Sequence, residues 1–168
     1  MRVFLFAVLL PLSVGYGQQR RDRTPITSTR LQLFAEVKPA GVKPGGPVTI
    51  EVRLKNVSSK NVHLGYSEPI FNYGITVVDM FGKEPPRTEW GDKLLRGEVW
   101  SISQQDFDLE PGKEEQAVLD ITKIFQLTQP GTYFVRINRF GIWTEKEGDN
   151  DKFIEMCYSP TVQFTITP

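Results

Sequence analysis

Residues 47–56, PVTIEVRLKN, constrain the fold more than any other stretch of this chain. Apolar Val48, Ile50, Val52 and Leu54 alternate there with polar or charged residues. Successive side chains of a β-strand point to opposite faces, so this period of two predicts a strand with one buried face and one solvated face. The same alternation recurs at residues 31–37, 62–64, 73–77, 107–109, 117–121, 133–137 and 162–166.

Glycine and proline residues separate these stretches. Pro111–Gly112 predicts the turn of a hairpin, and residues 79–82 predict a second turn, where Gly82 supplies a backbone angle that other residues avoid. Residues 84–99 are irregular, with a helical turn that ends at Gly97. No long helical period appears. About seven short strands therefore predict an all-β fold, an immunoglobulin-like antiparallel sandwich of two sheets.

Tyr133 follows the turn Pro130–Gly131 and begins an alternating strand. In immunoglobulin-like sandwiches, a tyrosine near the start of the penultimate strand folds over the preceding corner, and its hydroxyl bonds the backbone there. We therefore predict structural roles for Gly131 and Tyr133, with the tyrosine ring in the core and its hydroxyl capping the corner. An ordinary core tyrosine is the alternative.

The first 17 residues predict a secretory signal peptide. Arg2 precedes an apolar run at residues 3–14, and Gly15 and Gly17 are the small residues expected before a cleavage site. The run is too short to span a membrane, and no other stretch is long and apolar enough to do so. We expect residues 18–30 to be a flexible leader and residues 31–168 to be one domain, secreted or periplasmic.

The charge balance excludes whole classes of partner. Removing residues 1–17 removes Arg2 and no acid, which leaves 19 basic and 20 acidic side chains. A nearly neutral chain has no field that attracts nucleic acid or an anionic membrane. Cys157 is the single cysteine, so an internal disulfide is impossible. We expect it to be a small buried side chain in a strand, with a crosslink or a nucleophile as the alternatives.

Four segments carry a resemblance to known families: "KPGGPVTIEVRLKNVSSKNV", "ITVVDMFGKEPPRTEWG", "LEPGKEEQAVLDI" and "QPGTYFVRI". In this order they resemble small exported bacterial modules with an immunoglobulin-like fold. The chain is also similar, more weakly, to the intracellular proteinase inhibitor family. The resemblance covers roughly residues 31–167 and consists mainly of turn and strand signals, which specify fold better than function. No inhibitor contact residue can be matched to a position in this chain.

Residue types argue against catalysis. His63 is the single histidine, and it alternates with Val62 and Leu64 in a short strand, so we expect a surface or structural role for it. Neither Cys157 nor any serine has a nucleophile signature around it. We expect no catalytic residue, no metal and no cofactor. The acidic residues 145–151 lack the EF-hand spacing, so we expect a solvated loop, with calcium binding as the alternative.

Aromatic residues in and near the irregular segments are the remaining candidates: Phe71, Tyr73, Phe81, Trp90, Trp100, Phe140 and Trp143. They either plug the long loops onto the sheets or anchor a ligand. Because function on sandwiches is concentrated in loops, we select five candidate binding residues. These are Arg87, Glu89, Trp90, Trp100 and Trp143. Residues 56–58, Asn-Val-Ser, also match a glycosylation acceptor.

The sequence therefore favours a non-catalytic exported module that engages a protein partner through loop residues. That partner is a peptidase or an envelope protein in this interpretation. Two alternatives remain open. The resemblance implies a peptidase inhibitor that inserts a protruding loop into an active-site cleft, and the tryptophans allow a carbohydrate-binding module that stacks on a glycan.

Overall fold

The structure, a computed structural model, describes residues 26–99, 105–145 and 152–168, with the backbone alone at 26–27, 66, 140–145 and 152–155. The described strands are β1 (Ile26–Thr27), β2 (Leu31–Lys38), β3 (Gly41–Val42), β4 (Thr49–Asn56), β5 (Val62–Tyr66), β6 (Tyr73–Asp79), β7 (Gln105–Leu109), β8 (Glu114–Asp120), β9 (Gly131–Glu145), β10 (Lys152–Tyr158) and β11 (Val162–Ile166). Two short helices, α1 (Pro69–Asn72) and α2 (Glu89–Leu95), and a 3-10 turn, Ile121–Lys123, complete the described elements. The strands outnumber the seven or so expected, because several are very short.

The strands form two sheets around one core. The small sheet is antiparallel and has the order β2–β4–β8. The large sheet is built on the long strand β9, which pairs with β10 and β11 along one edge and with β5 and β6 along the other. β7 extends it beyond β5, and β1 and β3 add short parallel pairings. The expected all-β fold with antiparallel sheets is confirmed.

The alternating residues face the core as predicted. Ile50, Val52 and Leu54 of β4 are at most 1% exposed, and Val135 and Ile137 of β9 are completely buried in the same hydrophobic cluster. Each such side chain contributes roughly 1.5–3 kcal/mol before chain entropy is subtracted. Because both sheets contribute to one continuous cluster, their apolar faces hold the domain together.

The predicted hairpin around Pro111–Gly112 is wrong. β7 pairs with β5 in the large sheet, and β8 pairs with β4 in the small sheet. The turn therefore carries the chain from one sheet to the other. Alternation shows that a segment is a strand with a buried face, but it does not show which strand lies beside it, so a tight turn between two strands does not make them partners.

The predicted leader also needs correction at its C-terminal end. Ile26 and Thr27 pair with β10 in parallel, and the buried Ser28 donates its N–H to the Met156 carbonyl at 2.8 Å. Pairing with a strand more than a hundred residues away leaves no local pattern in the sequence. The predicted signal peptide, residues 1–17, and residues 18–25 of the leader lie outside the described residues and stay predictions.

Tyr133 makes the bond that the sequence predicts. Its hydroxyl donates to the main-chain carbonyl of Gln129 at 2.9 Å, its ring is buried, and it stacks on Phe164 with centroids 5.4 Å apart. Gly131 has a φ of +152°, a conformation that favours glycine. The tyrosine therefore ties the corner before β9 to the core.

Two other predicted positions have structural roles. Cys157 is buried in β10 and its thiol donates to the Leu31 carbonyl at 3.3 Å, as expected of a structural cysteine. Asn56 is completely buried, and its amide donates to the carbonyls of Lys60 and Leu109 at 2.8 and 2.7 Å. An amide held in this way is not presented for glycosylation, so the acceptor motif is a backbone anchor instead.

Candidate functional site

A cleft of about 440 Å³ lies between α1, α2 and β6. We call it the α2 cleft. Its apolar walls include Ile70, Phe71, Ile75, Leu94, Leu95 and Ile124. Arg87 lines it as well and contributes a positive charge. Volumes of this order are typical of ligand pockets, and the combination of apolar walls with a few polar groups is typical of binding sites.

The helix α2 is fixed to the body of the domain. Thr88 caps its N-terminus by accepting a bond from the Gly91 N–H at 2.9 Å, and the Thr88 N–H donates to the Ile124 carbonyl at 2.8 Å. Gly91 packs so closely that a Cβ there would lie 2.3 Å from the same carbonyl oxygen. The helix ends as the sequence predicts: Gly97 has a φ of +69°, and its N–H donates to the Leu94 carbonyl at 3.1 Å.

Trp90 serves mainly as support for the cleft. It is partly buried, packs against the hydrophobic core, and meets Phe71 edge to face with centroids 6.3 Å apart and an angle of 62° between the rings. The Trp90 ring is therefore engaged with Phe71 and with the hydrophobic core. These contacts are typical of a tryptophan that packs a loop onto the sheets, and less typical of one that anchors a ligand.

Arg87 is held in place from two sides. Its Nη2 lies 2.5 Å from a carboxylate oxygen of Glu84, and its guanidinium lies 5.4 Å above the ring centroid of Phe125. Its side chain is only 21% exposed. A cation fixed in this way at an apolar cleft can select a ligand that also carries an acceptor.

The other predicted binding residues are not brought to the cleft by the described structure. Glu89 points to solvent and pairs with Lys93 one turn along α2 at 2.7 Å; hydrogen bonding to Lys93 lowers the pKa of Glu89. Trp100 lies outside the described residues. Trp143 lies in β9, opposite Ile154 of β10, and only its backbone is described. Of the predicted set, Arg87 lines the cleft, and Trp90 contacts it only through Phe71.

Sequence reasoning missed an exposed apolar turn at Met80 and Phe81. Met80 is 67% exposed and Phe81 is 85% exposed, so the plug interpretation is wrong for this phenylalanine. Asp79 holds the turn: its Oδ1 accepts from the N–H groups of Phe81 and Lys83 at 2.8 and 2.9 Å, and its carbonyl accepts from Gly82 at 3.0 Å. Gly82 has a φ of +79°, as the predicted turn requires. We call residues 79–83 the apolar turn.

A buried polar group lies between the sheets. Arg139 of β9 is 2% exposed, donates to the carbonyls of Asn72 (3.2 Å) and Gly65, and lies 5.4 Å from the ring centroid of Tyr73. Burial raises the pKa of Tyr73 and lowers that of Arg139, while Glu115, on the facing strand β8, favours the charged guanidinium.

The sequence carries a signal for this group. Arg139 occupies the next alternate position after Val135 and Ile137, which face the core, and Glu115 occupies such a position before Leu119. Burial raises the pKa of Glu115 and the charge of Arg139 partly opposes the rise. Glu115 also lines a second hollow, of about 370 Å³, between β7 and β8.

Residues considered for catalysis or metal binding are scattered. His63 lies on the surface with its side chain 52% exposed, and its Nδ1 is 2.9 Å from a carboxylate oxygen of Asp108. Within residues 26–99, 105–145 and 152–168, no group of three or more His, Cys, Asp and Glu side chains could hold a metal ion. Residues 146–151 of the acidic stretch, which the sequence predicts as a solvated loop, lie outside the described residues. No helix in the described part of the chain is long and apolar enough to cross a membrane.

Comparisons with known proteins name no family for this chain. No family model matches it, and no curated protein matches it. A CARDB domain from Pyrococcus furiosus, solved with two metal ions, is 14% identical over 87% of this chain and 97% of that one, with a TM-score of 0.39. BslA, a bacterial hydrophobin, is 14% identical over 86% and 99%, with a TM-score of 0.36.

A β-glucosidase from Listeria innocua is also similar, at 14% identity and a TM-score of 0.39. The likeness covers 77% of this chain, which spans only 16% of the length of that enzyme. With identities and TM-scores this low, the fold assignment is based on the strand pairing and the core described above.

Proposed function

We propose that this chain is a non-catalytic exported module that binds a protein partner at the α2 cleft. The observation that carries the proposal is the cleft itself, apolar inside and open at Leu95, which is 67% exposed at its rim. A leucine exposed beside an apolar hollow gives a partner something to cover, and such surfaces are typical of interaction sites.

The rigidity of the cleft supports the proposal. The Thr88 cap and the contact of Gly91 with Ile124 fix α2, and Phe71 and Trp90 brace each other. A surface that is already ordered loses little conformational entropy when a partner docks. Arg87 adds a fixed charge, so an apolar side chain next to a hydrogen-bond acceptor is the chemistry that fits the cleft.

A peptidase inhibitor is the second candidate, and the apolar turn is the observation that favours it. The turn protrudes and presents Phe81 to solvent. However, the N–H groups of Phe81, Gly82 and Lys83 all donate within the turn. An inhibitor working through this turn would therefore insert its side chains into a pocket instead of pairing as an extended strand. Carbohydrate binding is a weaker alternative, because Trp90 is engaged with Phe71.

A capture experiment with matched variants tests the proposal. Tagged protein, produced from the full-length chain, is incubated with native envelope and culture-supernatant fractions in wild-type, Leu95→Glu and Val118→Glu forms. Val118 is the control, because it is 59% exposed on β8 and does not line the cleft. We expect a protein that wild type and Val118→Glu retain and Leu95→Glu loses, with binding then measured by titration of the purified partner.

Three outcomes would contradict the proposal. Equal capture by Leu95→Glu and wild type would place binding elsewhere on the surface. No capture above a denatured control, together with a positive glycan array, would favour the carbohydrate alternative. A captured peptidase whose activity falls on binding and recovers with Phe81→Ser, but not with Leu95→Glu, would favour the inhibitor.

A further inference from the structure

We propose that the second hollow, between β7 and β8, binds a primary ammonium group carried on an apolar stem, as in an alkylamine or a lysine side chain. We call it the β7–β8 hollow. It has a volume of about 370 Å³ and shares no lining residue with the α2 cleft, so the inference is independent of the function proposed for that cleft. Its lining residues are Gln105, Asp106, Phe107, Leu109, Glu114 and Glu115.

The β7–β8 hollow lies at an open side of the sandwich. β7 is paired with β5 in the large sheet, and β8 is paired with β4 in the small sheet. In the part of the chain that the structure describes, neither strand pairs with another strand on its outer side. A ligand can therefore reach the hollow from solvent between these two edge strands, where the sheets separate.

A carboxylate atom in the wall of this hollow lacks a hydrogen-bond partner. Glu115 Oε2 is shielded from solvent, and no described residue donates a hydrogen bond to it. The hydroxyl of Tyr73, a residue only 3% exposed, is likewise shielded and unbonded among the described residues. Burial and then the charge of Glu115 raise the pKa of Tyr73, so the two groups lie within electrostatic reach of each other. Because buried polar atoms are nearly always hydrogen-bonded, these two atoms indicate a place for a donor.

Arg139 does not supply all the positive charge that Glu115 requires. Its guanidinium acts on the carboxylate from β9, but its Nη1 and Nη2 atoms donate to the carbonyls of Asn72 and Gly65. Burial raises the pKa of Glu115, and the charge of Arg139 opposes that rise only in part. A perturbed carboxyl group that lines a hollow is typical of a binding site, and a charged donor forms a stronger hydrogen bond to a carboxylate than a neutral donor does.

The surroundings of the hollow are acidic. Residues 105–115 contain five acidic side chains and one basic side chain, Lys113. Three of the acids, Asp106, Glu114 and Glu115, line the hollow, and no basic residue of the described chain lines it. A concave surface lined by one sign of charge concentrates ions of the opposite sign, so the hollow favours a cation over an anion.

Two of these acids already have partners at the surface. A carboxylate oxygen of Glu114 lies 3.5 Å from Lys55 Nζ. A carboxylate oxygen of Asp106 lies 3.8 Å from His63 Nε2. Both partner side chains are exposed, so water screens these pairs. Glu115, whose Oε2 is shielded and unbonded, is therefore the acid that holds the ammonium group in this proposal.

Phe107 and Leu109 supply the apolar part of the site. Leu109 belongs to the hydrophobic core, and Phe107 is partly buried against it. Lysine side chains bury their methylene groups along apolar surface while the charged head reaches a polar group. The combination of an apolar wall with a carboxylate therefore fits an ammonium group on an alkyl stem better than a small hydrated cation.

NMR titrations with matched probes test the proposal. Isotope-labelled protein, produced from the full-length chain, receives pentylamine, which is a cation at neutral pH, or 1-pentanol, which has the same stem without the charge. We expect pentylammonium to shift the amide resonances of β7, Glu114 and Glu115 saturably, and 1-pentanol to bind at least about tenfold more weakly. Nα-acetyl-lysine methylamide is the third probe. Tighter binding of this probe than of pentylamine would identify a protein lysine as the ligand, and the reverse order would identify a free amine.

Glu115→Gln removes the charge and keeps the shape of the side chain. We expect this variant to bind pentylammonium at least about tenfold more weakly and to bind 1-pentanol as wild type does. Glu36→Gln is the control, because that side chain is 70% exposed on β2 and does not line the hollow. If circular dichroism shows that Glu115→Gln does not fold, Asp106→Asn replaces it, with an expected loss of about two- to fivefold because exposed charges contribute less.

Four results would overturn the proposal. Equal affinities for the amine and the alcohol would leave only an apolar hollow. Unchanged affinity for pentylammonium in Glu115→Gln would remove the carboxylate from the site, and an equal loss in Glu36→Gln would mean a general effect of surface charge. Resonances of β7 and β8 that do not shift saturably with any probe would refute binding there. None of these measurements involves Leu95, so this proposal and the one for the α2 cleft fail separately.

Discussion

Arg139 donates from its guanidinium to the main-chain carbonyl of Asn72 at 3.2 Å and thereby ties β9 to the end of α1. A second bond, to the carbonyl of Gly65, secures the end of β5. Asn72 contributes as well, because its side chain accepts from the Ser67 N–H at 3.1 Å and donates to the Ser67 carbonyl at 2.9 Å. The connection that leads into the α2 cleft is therefore fixed from within the domain.

Replacing Arg139 should destabilise the domain and loosen this connection. Arg139→Met removes the donors to the buried Asn72 carbonyl and the partly buried Gly65 carbonyl. We expect a loss of roughly 3 kcal/mol, since each unsatisfied group costs about 1–3 kcal/mol. The stability of Arg139→Lys should lie between that of wild type and that of Arg139→Met, because an ammonium still donates hydrogen bonds but lacks the planar, forked geometry of a guanidinium. Urea denaturation measures the change, and Arg136→Met, an exposed position on the same strand, is the control. An unchanged unfolding midpoint for Arg139→Met would contradict the role assigned to the arginine.

Glu115 should make stability depend on pH. Burial raises its pKa above the ordinary value of 4.5, so the folded state binds this proton more tightly than the unfolded state. The Glu115 carboxylate therefore lowers the stability of the fold once the pH exceeds its pKa in the folded state. This destabilisation disappears as the pH falls below its pKa in the unfolded state. Glu115→Gln should raise stability at neutral pH, by less than about 1 kcal/mol because the carboxylate is only partly buried. Thermal melts of both proteins from pH 4 to 8 test this, and a difference independent of pH would contradict it.

Tyr133→Phe isolates the corner hydrogen bond. The substitution keeps the buried ring on Phe164 and removes the bond to the Gln129 carbonyl. We expect a loss of about 1 kcal/mol, the usual net worth of such a bond. Tyr158→Phe is the matched control, because that side chain is 38% exposed on the surface. If chemical denaturation finds the two variants equally stable, the Tyr133 hydroxyl does not stabilise the corner.

Gly91→Ala should reverse the usual effect of replacing a helical glycine. In an open helix, alanine is favoured by about 1 kcal/mol. At Gly91 the added Cβ would lie 2.3 Å from the Ile124 carbonyl oxygen, so α2 must shift, at a cost of roughly 1–3 kcal/mol. Gly41→Ala is the control, because a Cβ added there would have no other atom within 4 Å. A stabilised Gly91→Ala variant, measured by its unfolding midpoint, would mean that α2 does not sit this close to residue 124.

Trp90→Ala separates support from binding. Because Trp90 packs on the core and on Phe71, we expect a loss of about 2–3 kcal/mol, somewhat below that for a fully buried tryptophan. Leu95→Ala, at an exposed position, should change stability by less than about 0.5 kcal/mol while weakening binding at the cleft. Full stability of Trp90→Ala with lost partner capture would instead restore this tryptophan as a ligand anchor.

The exposed turn shows how far local signals extend. Asp79 and Gly82 mark the turn in the sequence, and the structure places it there. The exposure of Met80 and Phe81 could not be predicted in the same way, because an aromatic residue in a turn either folds back onto the sheet or projects from it. That choice depends on whether neighbouring elements leave a gap for the ring, which is a tertiary property.

The sequence by itself determined the strands other than β1, β3 and β10, together with their buried faces, the turns and the corner at Tyr133, since each depends on contacts within a few residues and on the two-residue period of a strand. The alternation of core-facing positions in the sequence even includes Arg139 and Glu115. Only the tertiary structure decided that β7 and β8 belong to different sheets, that Ile26–Thr27 joins β10, and that α2 and β6 leave a cleft. Those outcomes depend on which surfaces meet across long stretches of chain, and the free energy of such contacts is not encoded in any local pattern.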